Sequence, residues 1–141
     1  MHYVLWSLLA LAAYSFVAPL MSVATTGNPK IPSNVAALMS NSILVLGTLG
    51  VILFSNENAT GYLTHPKTPY VVAAGIFLTV GILAYYRALS LGPVSVVAPI
   101  FGLFLAVSSV IGVLALGESL TLRKGLGIAL AAVAVYLVSV E

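Results

Sequence analysis

The sequence contains no cysteine. That excludes disulfides, thiolate metal centres, iron–sulfur clusters and a cysteine nucleophile. Charge is almost as scarce. Lys and Arg number 5 and Asp and Glu 3 in 141 residues, or 6% of the chain, where a soluble domain carries roughly a quarter. So few charges cannot coat a surface facing water, and a soluble globular fold is excluded. Disorder is excluded from the other side, because disordered chains are poor in apolar residues and 61% of these are hydrophobic. The two histidines, His2 and His65, fall outside the apolar runs. They leave no metal-ligand cluster and no nucleophile–base pair, so neither an enzyme, a metal site nor a cofactor is expected. Arg123-Lys124 is the largest basic cluster, too small for a nucleic-acid footprint. What remains is a mean hydropathy of +1.16, which suits lipid.

The few charges divide the chain into membrane-length pieces. No charged side chain occurs before Lys30, between Lys30 and Glu57, between Lys67 and Arg87, between Arg87 and Glu118, or between Lys124 and Glu141. A helix crossing the hydrocarbon needs about 20 apolar residues, and each gap holds one. The sequence therefore predicts an all-α, polytopic integral membrane bundle of five transmembrane helices forming one domain over residues 1–141. The spans are Tyr3–Ala24, Val35–Phe54, Tyr70–Ser90, Ser95–Leu116 and Lys124–Val140. The breaks carry turn chemistry: a polar Gly/Pro stretch from Thr25 to Asn34, a polar stretch from Ser55 to Thr68, then Leu91-Gly92-Pro93 and Gly117-Glu118-Ser119. In the last two, Gly ends one helix and Pro or Ser opens the next. The first span is too long and lacks the basic start of a signal peptide. The triplet Asn58-Ala59-Thr60 matches a glycosylation site, and such triplets are common by chance.

Five crossings place the amino terminus, the second loop and the fourth loop on one side. That side carries Lys67, Arg123 and Lys124; the other carries Lys30 and, if counted, Arg87. The positive-inside rule favours a cytoplasmic amino terminus, in the plasma membrane, by a small margin that also permits insertion both ways round.

Helices in lipid associate through small residues and a few hydrogen bonds. Stripes at three-to-four spacing run through Gly75, Thr79, Ile82 and Tyr86; through Ser95, Pro99, Gly102, Ala106 and Ser109; and through Gly125, Ala129, Ala132, Tyr136 and Ser139. Gly102, Ala106, Gly125, Ala129 and Ala132 are read as packing positions. Pro99 frees the carbonyl of Ser95 and kinks its helix; within a bundle such a carbonyl bonds a neighbour or lines a cavity. Pro19 is read as a distortion at the end of the first span. No acid lies deep in any span, which leaves no buried carboxylate for proton coupling. Asn41, Tyr86, Arg87 and Pro99 fall in the same outer third of the bilayer, and Tyr14 and Ser15 near its middle. Two readings of Arg87 stand: it clamps an anionic group, or it snorkels from the helix end. Its apolar face of Ile76, Val80 and Leu83 favours the second. Tyr14, Asn41, Tyr86, Arg87, Pro99 and Ser109 are the candidate substrate-binding residues, against a bland alternative in which each merely ties helices together.

The stretch from Tyr85-Tyr86-Arg87-Ala88-Leu89-Ser90-Leu91-Gly92-Pro93 to Val94-Ser95-Val96-Val97-Ala98-Pro99 resembles the centre of an EamA-type domain of the drug/metabolite transporter superfamily. Leu116-Gly117-Glu118-Ser119-Leu120 followed by Thr121-Leu122-Arg123-Lys124-Gly125 resembles the family's next signature. The resemblance covers about Val71 to Val140; the first seventy residues match in span number and length. It implies a secondary carrier of a small polar or amphiphilic metabolite, working by alternating access. Because larger members carry two such units in opposite orientation, it also implies a homodimer, with an antiparallel arrangement permitted. Glu118, in a loop beside Arg123 and Lys124, is read as structural, bonding backbone amides at the start of the fifth helix. The alternative is a non-transporting membrane subunit, or a half-unit needing a different partner.

Overall fold

The computed structural model describes residues 2–55 and 57–140. Among them all regular structure is helical: α1 (His2–Tyr14), α2 (Val17–Thr25), α3 (Ser33–Ser55), a 3-10 turn (Ala59–Tyr62), α4 (Thr68–Leu89), α5 (Val94–Leu116) and α6 (Leu122–Ser139). Helices α1 and α2 run on as one apolar segment, so 5 helices are long and apolar enough to cross a membrane: His2–Thr25, Ser33–Ser55, Thr68–Leu89, Val94–Leu116 and Leu122–Ser139. At about 1.5 Å per residue these reach roughly 27–36 Å, which matches a hydrocarbon core of about 30 Å. Every end falls within two residues of the sequence expectation. Three helices start two residues early, at Ser33, Thr68 and Leu122. The first turn of a helix has no carbonyls to serve its N–H groups, so polar residues and Pro69 are tolerated there.

Hydrocarbon offers polar groups no partner, so they must be satisfied within the chain. The hydroxyls inside the spans do this locally. Ser7, Ser15, Ser42, Thr48, Thr79 and Ser109 each donate to the carbonyl four residues back, at 2.7–2.9 Å. The Asn41 Nδ2 likewise donates to the Ala37 carbonyl at 2.8 Å.

The two intrahelical prolines behave differently. Pro19 lacks the N–H that would serve the Ser15 carbonyl, and its ring crowds that carbonyl. The first span breaks there, at Ser15-Phe16. The Phe16 N–H falls back on the Ala13 carbonyl at 3.3 Å, and the ladder resumes with Leu20 N–H to Phe16 at 3.2 Å. The expectation of a terminal distortion is corrected: Pro19 acts one turn upstream, where its missing bond lies, and so divides the span near its middle. Helix α5 passes through Pro99 without a break.

The chain divides between Leu91 and Gly92 into two compact units. In the first, α2, α3 and α4 pack against one another. Its buried residues are Ala18 and Thr25 on α2, Ser33, Ala36 and Ala37 on α3, and Tyr86 and Leu89 on α4. All lie towards the end that carries the loop between α2 and α3. The small residues of α3 let the helices approach closely, and Leu89, 0% exposed, fills the space between them. Away from that end the helices separate: residues 71–80 of α4 are all exposed, and so is α3 from Ser42 to Leu49. The long polar connection between Ser55 and Thr68 permits this, whereas the loop from Thr26 to Pro32 ties α2 to α3, with the Ile31 N–H bonded to the Ala24 carbonyl at 2.9 Å.

In the second unit α5 and α6 pack as a helical hairpin. Gly117 turns the chain in the left-handed region at φ 68°. The carbonyl of Gly112 accepts the N–H groups of Gly117 and Glu118. Thr121 caps α6, its side chain accepting from the Lys124 N–H at 3.3 Å.

Leu89→Ala should lower the stability of the folded chain by about 2–5 kcal/mol, as expected for a buried leucine. Gly117→Ala should cost about 1–2 kcal/mol, because a Cβ is disfavoured in the left-handed region. Denaturant titration in detergent micelles, followed by helicity, checks both.

Candidate functional site

The first unit contains Tyr14, Asn41, Tyr86 and Arg87. Tyr86 is buried at 5% exposure, at the packed end. Its ring lies 6.0 Å from that of Tyr85, tilted by 38°. Asn41 is half-buried, one helical turn beyond the buried Ala37 and therefore on the same face of α3. It stands at the border where the packed end gives way to exposed helix. Its amide spends one N–H on Ala37, which leaves a second N–H and the carbonyl oxygen for another partner. Arg87 follows Tyr86 but is exposed, since successive residues of a helix lie on different faces. It sits in the last turn of α4, where a cation is favoured by the helix dipole. Its carbonyl accepts the Ser90 hydroxyl at 2.7 Å. Tyr14 ends α1 beside the Ser15-Phe16 break and is exposed.

Pro99 and Ser109 belong to the second unit, on α5. Pro99 is half-buried near the start of the helix. Ser109 lines a groove of about 440 Å³ between α5 and α6, with Gly102, Ala106 and Val113 from α5 and Gly127 and Ala131 from α6. Glu118 and Lys124 line the same groove, beside the turn that joins the helices. The carboxylate of Glu118 lies over Gly112, 3.4 Å from where a Cβ there would stand. The Lys124 ammonium donates to the Ser119 carbonyl at 3.1 Å. The cap of α6 is Thr121, so the structure gives the first backbone amides of that helix a different partner from the Glu118 expected on sequence grounds.

Gly102, Gly125 and Gly127 have open space around them: an added Cβ would meet nothing within 4 Å. Ala129 and Ala132 are exposed. The face of α6 that lines the groove runs through Lys124, Gly127, Ile128, Ala131 and Val135. It is a neighbouring face to the Gly125, Ala129 and Ala132 stripe read from sequence. Small residues alternate along Gly125-Leu126-Gly127-Ile128-Ala129-Leu130-Ala131-Ala132, so both faces carry them at helical spacing. Lys124, in register with Gly127 and Ala131, was the signal that separates the two.

Five helices of membrane length define a polytopic integral membrane protein. Residues 1–140 match the EamA-like transporter family, and the chain belongs to it. The chain is 32% identical over 141 aligned positions to a Sinorhizobium sp. protein described as an uncharacterized transporter in the cobO 3' region, with 96% of each chain covered. No solved structure matches the chain. Family and relative point to a membrane transporter rather than an enzyme.

Tyr86→Ala should destabilise the protein by about 3–5 kcal/mol, the range for truncating a buried aromatic. Tyr86→Phe keeps the ring and should cost no more than about 1.5 kcal/mol. Thermal unfolding of the two variants in one detergent checks the difference.

Proposed function

We propose that the protein is a secondary carrier of a small polar or amphiphilic metabolite, working by alternating access as a homodimer in the plasma membrane, with its amino terminus cytoplasmic. The observation that carries the reading is the uneven packing of the first unit. Its helices close around Ala37, Tyr86 and Leu89 at one end and stand apart along the rest. A membrane transporter needs a barrier on one side of its site and access from the other. Asn41 stands at that border, and Tyr86 lies within the closed end. Together they offer an amide and a phenol on an otherwise apolar wall, the composition of a small-molecule site. Tyr14, Arg87, Pro99 and Ser109 complete the set to test. The break at Ser15-Phe16 supplies a point at which the first span can bend as the site changes sides.

The second copy is supported by the glycines of the first unit. A Cβ at Gly47, Gly50, Gly75 or Gly81 would meet nothing within 4 Å. Glycine faces without a neighbour are where transmembrane helices approach one another. The small charge bias between the two sides permits the copies to insert in opposite orientations.

The absence of cysteine makes this directly testable, since a single Gly75→Cys substitution introduces a unique thiol. Cross-linking in native membranes should trap a dimer through that position, and none through Phe54→Cys as a control. Purified protein in vesicles should carry a small metabolite down an imposed gradient of that metabolite, faster than protein-free vesicles do. Tyr86→Phe and Asn41→Ala should each lower that flux about tenfold or more, as loss of a buried ligand hydrogen bond predicts, while leaving thermal stability close to wild type. Flux unchanged in both variants would remove these residues from the site.

A further inference from the structure

The groove between α5 and α6 lies wholly within the second unit, and the carrier reading above does not use it beyond Ser109. We infer that it is a binding site for one phospholipid with a primary-amine headgroup of the phosphatidylethanolamine type. Three observations meet there. The first is size. The groove follows α6 from Lys124 to Val135, about 16 Å at the rise of a helix. That is about half of a hydrocarbon core of roughly 30 Å, the depth of one leaflet and of one acyl chain lying along the helix. Its volume is about 440 Å³.

The second is the wall. Gly102, Ala106, Gly127 and Ala131 form a smooth apolar floor, and at the two glycines no side chain of this protein reaches into the space. The third is charge. The groove carries one carboxylate, Glu118, and one ammonium, Lys124, both at the turn end, where a span meets the interface. Lys124 spends one of its three N–H donors on the Ser119 carbonyl, which leaves two. The Glu118 carboxylate lies 3.4 Å from where a Cβ at Gly112 would stand, and its acceptor sites outnumber any one partner. A phosphoethanolamine headgroup carries the complementary pair: a phosphate to accept from Lys124, and an ammonium to donate to Glu118. Both contacts are charge-assisted. A choline headgroup has the same net charge but no N–H to donate. A glycerol headgroup has no cation at all, and so meets Glu118 only through neutral hydroxyls.

The test is native mass spectrometry of the detergent-solubilised full chain, titrated with phosphatidylethanolamine, phosphatidylcholine or phosphatidylglycerol of matched acyl chains. Wild type should retain one phosphatidylethanolamine about fivefold more readily than either competitor, the worth of one charged contact near the membrane surface. Glu118→Gln should abolish the preference over phosphatidylcholine. Lys124→Gln should weaken both zwitterionic lipids alike. Gly127→Leu, which fills the groove with a better helix former, should release all three. Circular dichroism and a monodisperse elution profile report folding, and Gly127→Leu serves alone if a charge variant fails to fold. Equal retention of the three lipids by wild type overturns the assignment. So does a preference that survives Glu118→Gln. Lipid retention unchanged in Gly127→Leu also overturns it, and a shift of that variant from dimer to monomer would give the groove to a second copy. None of these readouts requires transport, so failure here and failure of the carrier reading are separable.

Discussion

A peptide N–H or C=O left unpaired in hydrocarbon costs several kcal/mol, and nearly every feature of this protein follows from that constraint. It makes each crossing a helix, and sets helix length by bilayer thickness rather than by a water-filled core. The same constraint disposes of the hydroxyls. Ser15, Ser42, Thr48 and Thr79 all turn back on the carbonyl of the preceding turn, which satisfies the donor without a neighbouring helix. Where the ladder fails, the structure changes visibly: the Ser15 carbonyl loses its partner to Pro19, and the first span breaks there.

With the backbone satisfied, lipid gives helices little hydrophobic reason to associate, because acyl chains are as apolar as leucine. Close approach then depends on small side chains. The first unit shows this at Ala36 and Ala37, which are buried at 5% and 1% exposure while larger neighbours such as Leu38 remain exposed. Its packing is confined to one end, beside the short loop that holds α2 and α3 together. A long connection at the other end leaves α3 and α4 free to part. Asn41, half-buried, stands at the transition, and Tyr86 is enclosed at the packed end.

The second unit combines the same small-residue packing with the rarest resource of this chain, its charge. Glu118 and Lys124 are two of eight charged side chains, and both line one groove. The Glu118 carboxylate lies over Gly112, where any side chain would crowd it. Thr121 supplies the helix cap and so leaves that carboxylate available. Family membership establishes the transporter class.

Composition and charge spacing were enough to determine the solvent, the helical class, the number of crossings and their ends to within two residues, because bilayer thickness and the cost of burying charge leave few alternatives. The family signature was legible too, from Tyr85 to Pro99 and from Leu116 to Gly125. Three things were not legible. Pro19 could be located but not its consequence, because a proline's effect falls on a carbonyl one turn away and depends on whether neighbouring groups relieve it; Pro99 leaves α5 unbroken. The face of α6 was ambiguous because small residues alternate there and helical spacing fits two stripes. The buried end of the first unit was hidden as well. Hydropathy cannot distinguish a leucine facing lipid from one facing a helix, and only the tertiary structure decided that Leu89 is enclosed while Leu91, two residues on, is not.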